Sequence, residues 1–304
     1  MAAEIAGTDA SATAPAADRR GGAVLRLWDR LPLPLRALLS GFVVFFVLQN
    51  GWLVAFLANL KLRPEVPWNV PVGLLWLGLW FRYFDGRWTP AATAARRRRA
   101  MRAPRLSRRQ WLWALAFLPV FLTGLVAVIQ VAYRFAVIPE DDFDLSMLPW
   151  WSLYPSLVML SVNAGVSEEA GFRGYLQGGL ERSFGPTAAI LVTSLLFWLA
   201  HLNHASGPAR LVQLVAMSIG LGVLARAAGS IWPSVVAHAT VDTLFFVSAA
   251  SGIAPWFFEH PPAFAETGVD ATFVFFSALL VAAIVAGAAI LRRLAALRPA
   301  DAEE

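Results

Sequence analysis

The 304-residue chain contains no cysteine, which excludes disulfides, a thiolate nucleophile and cysteine-held metal clusters, so any metal site would need His and carboxylate ligands. The absence says nothing about redox compartment. Charge is also scarce, at 15% of residues against 58% hydrophobic. Several uncharged runs are long enough to cross about 30 Å of hydrocarbon, which argues against a soluble core and for an all-α polytopic membrane protein. An apolar segment of the signal-peptide kind is missing from the start of the chain. Residues 1–20 are instead rich in Ala, Thr and Ser and carry Glu4, Asp9 and Asp18, the composition of a disordered tail. No internal repeat is visible in motif or span length.

What is present is a series of about eight apolar spans. Clear ones run over 38–60, 111–133, from about 149 to 167 with helical continuation, and 271–291; weaker ones cover 67–84, 187–202, 211–225 and 231–253. Arginines separate them. Arg19, Arg20, Arg26, Arg30 and Arg36 precede the first span, and Arg87, Arg96 to Arg99, Arg102, Arg105, Arg108 and Arg109 follow the second. Arg182, Arg226 and the group Arg292, Arg293 and Arg298 follow the fourth, sixth and eighth. Short cytoplasmic loops hold the Lys and Arg excess, so every even-numbered span exits on the cytoplasmic side and both termini are expected there. The opposite loops carry Glu140, Asp141, Asp142 and Asp144 and the 259–270 stretch. The net charge of +5 thus reports orientation and contact with anionic headgroups, not nucleic-acid binding. A multi-pass protein of the plasma (inner) membrane follows. Its parts would be a basic N-terminus (1–36), accessory helices with a basic loop at 85–110 (37–147), a helical core (148–253), and a last helix with its tail (254–304).

Three stretches break the apolar pattern: Glu168-Glu169-Ala-Gly-Phe-Arg173, Phe197-Trp-Leu-Ala-His201 and His238-Ala-Thr-Val-Asp242. Ionisable groups inside a bilayer are expensive and mark functional sites whose members satisfy one another. Glu169 and Arg173 are one helical turn apart and form a local ion pair, while Glu168 points about 100° away and is free to face the bundle interior. The bland alternative ends the fourth helix near Ser167 and leaves both glutamates solvated. Two of four histidines lying in spans of one bundle tip the balance toward a shared site. His204 reads as interfacial and His260 as loop. Depth is an awkward check, because Glu168 and His201 lie about 21 Å from the arginine-rich interface, whereas His238 is only about 10 Å beyond Ile231.

Glu, His, His and Asp can activate water. A carboxylate in a low-dielectric site is a strong enough base to take a proton from water as it attacks a carbonyl, the role suited to Glu168. His201 would orient that water or pass the proton to a leaving amine, and His238 with Asp242 would meet charge on the carbonyl oxygen. The sum is peptide hydrolysis.

Taken in order, the three stretches resemble the CAAX-protease and bacteriocin-processing family of intramembrane endopeptidases, whose pattern is EExxxR, FxxxH and Hxxx followed by Asn or Asp. The resemblance covers roughly residues 148–250, including Ser230-Ile-Trp-Pro233. It implies a glutamic endopeptidase in which Glu168 activates water with His201, His238 and Asp242 bind the oxyanion, and Glu169, Arg173 and Phe197 support them. Better-studied relatives carry Asn where this chain has Asp242. An ionised Asp cannot donate to an oxyanion, so Asp242 is protonated, or it accepts from His238 and orients that ring, or it belongs to a metal site.

Glu168, His201, His238 and Asp242 form an alternative Zn²⁺ set, although no H-E-x-x-H helix accompanies them. The metal-free reading, with no cofactor, is preferred. No nucleophile turn supports a serine route. The partners expected are a peptide or membrane-protein substrate and the bilayer. Beside the protease stand a non-hydrolytic membrane scaffold or bacteriocin-immunity protein and a proton-coupled transporter, for which the matching broken helices are missing.

Overall fold

The computed structural model describes residues 23–136, 148–202, 207–253 and 261–298. The N-terminal tail of residues 1–20, the acidic 140–144 segment, His204 and His260 lie outside the described residues. In chain order the helices are α1 (Ala23–Arg30), α2 (Leu33–Leu62), α3 (Asn69–Phe84), α4 (Ala94–Met101), α5 (Arg108–Ala132) and α6 (Trp150–Glu168). They continue as a π-helical stretch (Glu169–Gln177), α7 (Gly178–Leu199), α8 (Pro208–Ala228), α9 (Trp232–Ser251), α10 (Phe264–Thr267) and α11 (Ala271–Ala295). No strand occurs among the described residues, and the chain is an all-α polytopic membrane protein. Among the described residues six helical segments are long and apolar enough to cross a membrane, one of them the 50-residue run Trp150–Leu199.

That long run is two expected spans joined without a loop. Gly185 adopts φ 77° and ψ 169°, a conformation open to glycine but costly for other residues, and Pro186 restarts the helix. α3, with 16 residues, falls short of a full crossing. Outward-facing Phe46, Leu74, Leu75, Val281 and Ile284 are all exposed, as lipid-facing side chains should be. Lipid offers no hydrophobic drive between helices, so association rests on close backbone approach and buried polar contacts.

The close approach is concentrated where α2 meets the π-helical stretch. A Cβ on Gly171 would lie 2.7 Å from Phe45 Cβ and 2.8 Å from the Gly41 carbonyl oxygen, while one on Gly78 of α3 would meet nothing within 4 Å. Gly171→Ala should therefore destabilise by about 1–3 kcal/mol through overpacking, with Gly78→Ala neutral. Thermal unfolding in detergent checks the pair, and equal melting points would remove this contact from the account. Gly165 does the same between α6 and α9, its Cβ position lying 3.0 Å from the Val235 carbonyl oxygen. That approach holds the His238 turn against the Glu168 turn.

The arginine-bearing segments meet at one end of the bundle. Arg96 pairs with Asp29 at 2.9 Å, Arg102 with Glu181 at 3.0 Å and Arg226 with Glu181 at 3.5 Å. Arg298 donates to the Arg226 carbonyl at 3.3 Å. At the other end Arg134 pairs with Asp270 at 2.8 Å, and the neighbouring Arg134 guanidinium holds this α11-capping carboxyl below the usual carboxylate range.

The basic loop departs from the expectation of a purely solvated anchor. Arg97 is buried, donates to the carbonyls of Tyr83, Pro90 and Trp88, and lies over the Tyr83 ring. It ties α4 to the end of α3. The segment after α4 then runs beneath α9, with Ile231 N donating to the Arg102 carbonyl at 2.9 Å and Ser230 Oγ to the Pro104 carbonyl at 3.0 Å. Ser230, Ile231 and Ser234 are buried in consequence. α9 therefore starts packed against the protein, on the segment that follows α4.

Candidate active site

The helix does not stop at Ser167. It widens into the π-helical stretch Glu169–Gln177, a geometry frequent at functional sites, and Glu168 and Glu169 are both buried. The two side chains part as their 100° offset requires. Glu169 Oε1 lies 2.9 Å from Arg173 Nη1, and Glu168 turns to the two histidines.

Glu168 Oε2 is 3.5 Å from His201 Nε2 and 3.7 Å from His238 Nε2. Among the described residues this buried oxygen has no hydrogen-bond partner in the protein. His201 Nδ1 lies 2.7 Å from the Phe197 carbonyl oxygen. A carbonyl only accepts, so Nδ1 carries the proton and Nε2 is the nitrogen presented to Glu168. The FxxxH spacing thus has a direct cause: one helical turn brings the Phe197 carbonyl under the ring. The Phe197 side chain also stacks beside His201, with centroids 4.5 Å apart, and receives the Arg173 guanidinium 4.8 Å from its centroid.

The sequence assigned Glu169 to Arg173 alone, but the structure gives it a second partner. His238 Nδ1 lies 2.8 Å from Glu169 Oε1, and because Arg173 requires an ionised carboxylate there, Nδ1 is the donor. Arg173 is in turn anchored on α8, its Nη2 donating to Ser218 Oγ at 3.0 Å and to the Ser218 carbonyl at 3.2 Å. A chain of contacts therefore runs Ser218, Arg173, Glu169, His238 and fixes the ring that faces Glu168. Asp242 Oδ2 is 3.4 Å from the remaining nitrogen, His238 Nε2. In the turn leading into Glu168, Ser167 Oγ and Asn163 Nδ2 donate to Gln49 Oε1 on α2 at 2.7 and 3.2 Å. Ser218 and Gln49 escaped sequence reading; their only signal was a polar residue inside an apolar span.

Side-chain exposure falls from 19% at Asp242 and 13% at His201 to 6% at Glu168 and 3% at His238, so access to the cluster is across Asp242 and His201. Among the described residues no group of three or more His, Asp and Glu side chains is placed to hold a metal ion.

A bundle of apolar helices enclosing paired glutamates, an arginine and two histidines defines a multi-pass membrane protein with a buried polar centre. Residues 149–244, about a third of the chain, match the family model described as type II CAAX prenyl endopeptidase Rce1-like, and all three motifs fall inside the match. Over these residues the chain is similar to the CAAX-protease family of membrane peptidases. No curated protein and no solved structure matches the chain.

Proposed function

We propose that the protein is an intramembrane endopeptidase that hydrolyses a peptide bond of a membrane-associated peptide or protein through a glutamate-activated water. The observation that carries the reading is the convergence of two imidazole nitrogens on one buried, otherwise unpartnered carboxylate oxygen of Glu168. Water held between these atoms gives a proton to Glu168 as its oxygen attacks the substrate carbonyl. His201 Nε2, beside the same oxygen of Glu168, relays that proton to the leaving nitrogen as the C–N bond breaks. Glu168 is ionised again at the end. His238 acts as the imidazolium among Glu168, Glu169 and Asp242: its Nδ1–H donates to Glu169 and its Nε2–H is offered to the carbonyl oxygen as charge develops there. Asp242 faces that same nitrogen, which favours the role of orienting the ring over donating to the oxyanion. Termini and arginine loops are assigned to the cytoplasmic side, and the membrane is the plasma membrane.

A quenched-peptide panel tests the assignment on the purified full-length protein. Cleavage is expected to be lost in His201→Ala and to persist under chelation. Loss on chelation that Zn²⁺ restores would overturn the metal-free mechanism. Including peptides with and without a C-terminal isoprenoid would show whether the substrates named in the family description apply to this chain.

A further inference from the structure

A groove of about 1080 Å³, open on the outward side where Ile284 is exposed, lies away from the Glu168 cluster, between α5, α8 and α11. Its walls are apolar, formed by side chains such as Phe121, Leu125 and Ile284 and widened by Gly124 and Gly287; among the described residues its polar lining consists of three arginines, Arg226, Arg292 and Arg298. None of Glu168, His201, His238 and Asp242 lines it. We propose that this groove is a binding site for an anionic diacyl phospholipid, with the acyl chains along the apolar wall and the phosphate at the three arginines.

Dimensions and charge both point to that occupant. The lining runs from Phe117 to Val128 on α5 and from Ala216 to Ala227 on α8. At 1.5 Å per residue each run is about 16 Å long, the depth of one leaflet of a hydrocarbon core of about 30 Å. A soluble anion would leave that wall without a partner, and a purely apolar molecule would leave the exposed Arg292 charge at the end of the groove unmatched. Basic pockets between membrane helices at the arginine-rich face are suited to anionic headgroups.

The arginines are not equally committed. Arg226 sits 3.5 Å from Glu181, and Arg298 donates to the Arg226 carbonyl at 3.3 Å, while Arg292 is exposed on the last turn of α11. Arg292 is therefore the side chain with most freedom to meet a phosphate. A bound lipid would also fill the gap between α8 and α11, a helix whose central window is only 6% buried. The proposal is independent of the hydrolytic reading.

Native mass spectrometry of the full-length protein in detergent tests it, using phosphatidylglycerol and phosphatidylcholine with identical chains, and glycerol phosphate as the soluble probe. Phosphatidylglycerol should be retained about tenfold or more over phosphatidylcholine, with no retention of glycerol phosphate. Arg292→Glu should bring the two lipids level, and Arg292→Gln serves if the charge reversal does not fold. Ala288→Trp, which fills the exposed wall of the groove, should weaken both. Equal binding of the two lipids to the unaltered protein would overturn the proposal. So would a phosphatidylglycerol preference untouched by both Arg292 variants, displacement of lipid by glycerol phosphate, or a second copy of the chain occupying the groove.

Discussion

Glu168→Gln should lower peptide hydrolysis by about 10²–10⁴-fold, the scale of a positioned general base, while leaving the protein at least as stable. The two halves of this result follow from one atom. Glu168 Oε2 is buried without a hydrogen-bond partner in the protein, and such a group costs stability when it is charged. An amide of the same shape removes the charge but cannot take a proton from water. A functional carboxylate thus predicts lost turnover with an unchanged or raised melting temperature, the trade expected at active sites. A structural carboxylate predicts the reverse, with the melting point falling and any activity loss following from unfolding.

The largest stability effect is expected at Arg173. Its side chain is fully buried, sits 2.9 Å from Glu169, donates to Ser218 and lies over the Phe197 ring. Arg173→Met leaves Glu169 as an uncompensated buried charge and should cost about 3–5 kcal/mol, whereas removing both partners in Glu169→Gln/Arg173→Met should recover part of that loss. Thermal unfolding of the two singles and the double in one detergent provides the cycle. Strictly additive losses would mean that the pair does not act as a unit. Because Glu169 also holds His238, the double variant should regain stability without regaining hydrolysis, an outcome that a purely structural pair would not give. Arg173→Lys is not expected to substitute, since an ammonium lacks the planar fork that reaches Glu169 and Ser218 together.

How legible this was in the sequence depends on the range of each interaction. Hydropathy located the apolar helices because span length is a property of consecutive residues. The divergence of Glu168 from Glu169 follows from helical rotation alone, and so does the one-turn geometry of Phe197 with His201. Other features depend on contacts between distant segments. Glu169 and His238 are 69 positions apart, and no periodicity announces their hydrogen bond. The buried start of α9 arises because residues 102–104 pass beneath it, a contact between segments 126 to 129 positions apart that no local pattern announces. Arg97 looked like one of four equivalent surface arginines until the carbonyls of the α3–α4 connection closed around it. The π-helical widening has no propensity signature either. Small residues such as Gly171 and Gly174 pack closely there against α2 and α4, but glycines at such intervals serve ordinary helix packing equally well.

All three motifs of the Glu168 cluster fall inside the family match. The match spans residues 149–244, yet Gln49 on α2 and the Arg102–Pro104 segment also bear on that site from outside it. Transplanting the matched segment without those supports should therefore not preserve its arrangement.

Single-turnover hydrolysis in H₂¹⁸O, read by mass spectrometry of both product and protein, addresses the role of Glu168 directly. If this carboxylate activates water, one ¹⁸O atom enters the new carboxylate of the cleaved peptide and none enters Glu168. Label in the Glu168 side chain would show that the carboxylate itself attacks the substrate, and the water-activation mechanism would be wrong.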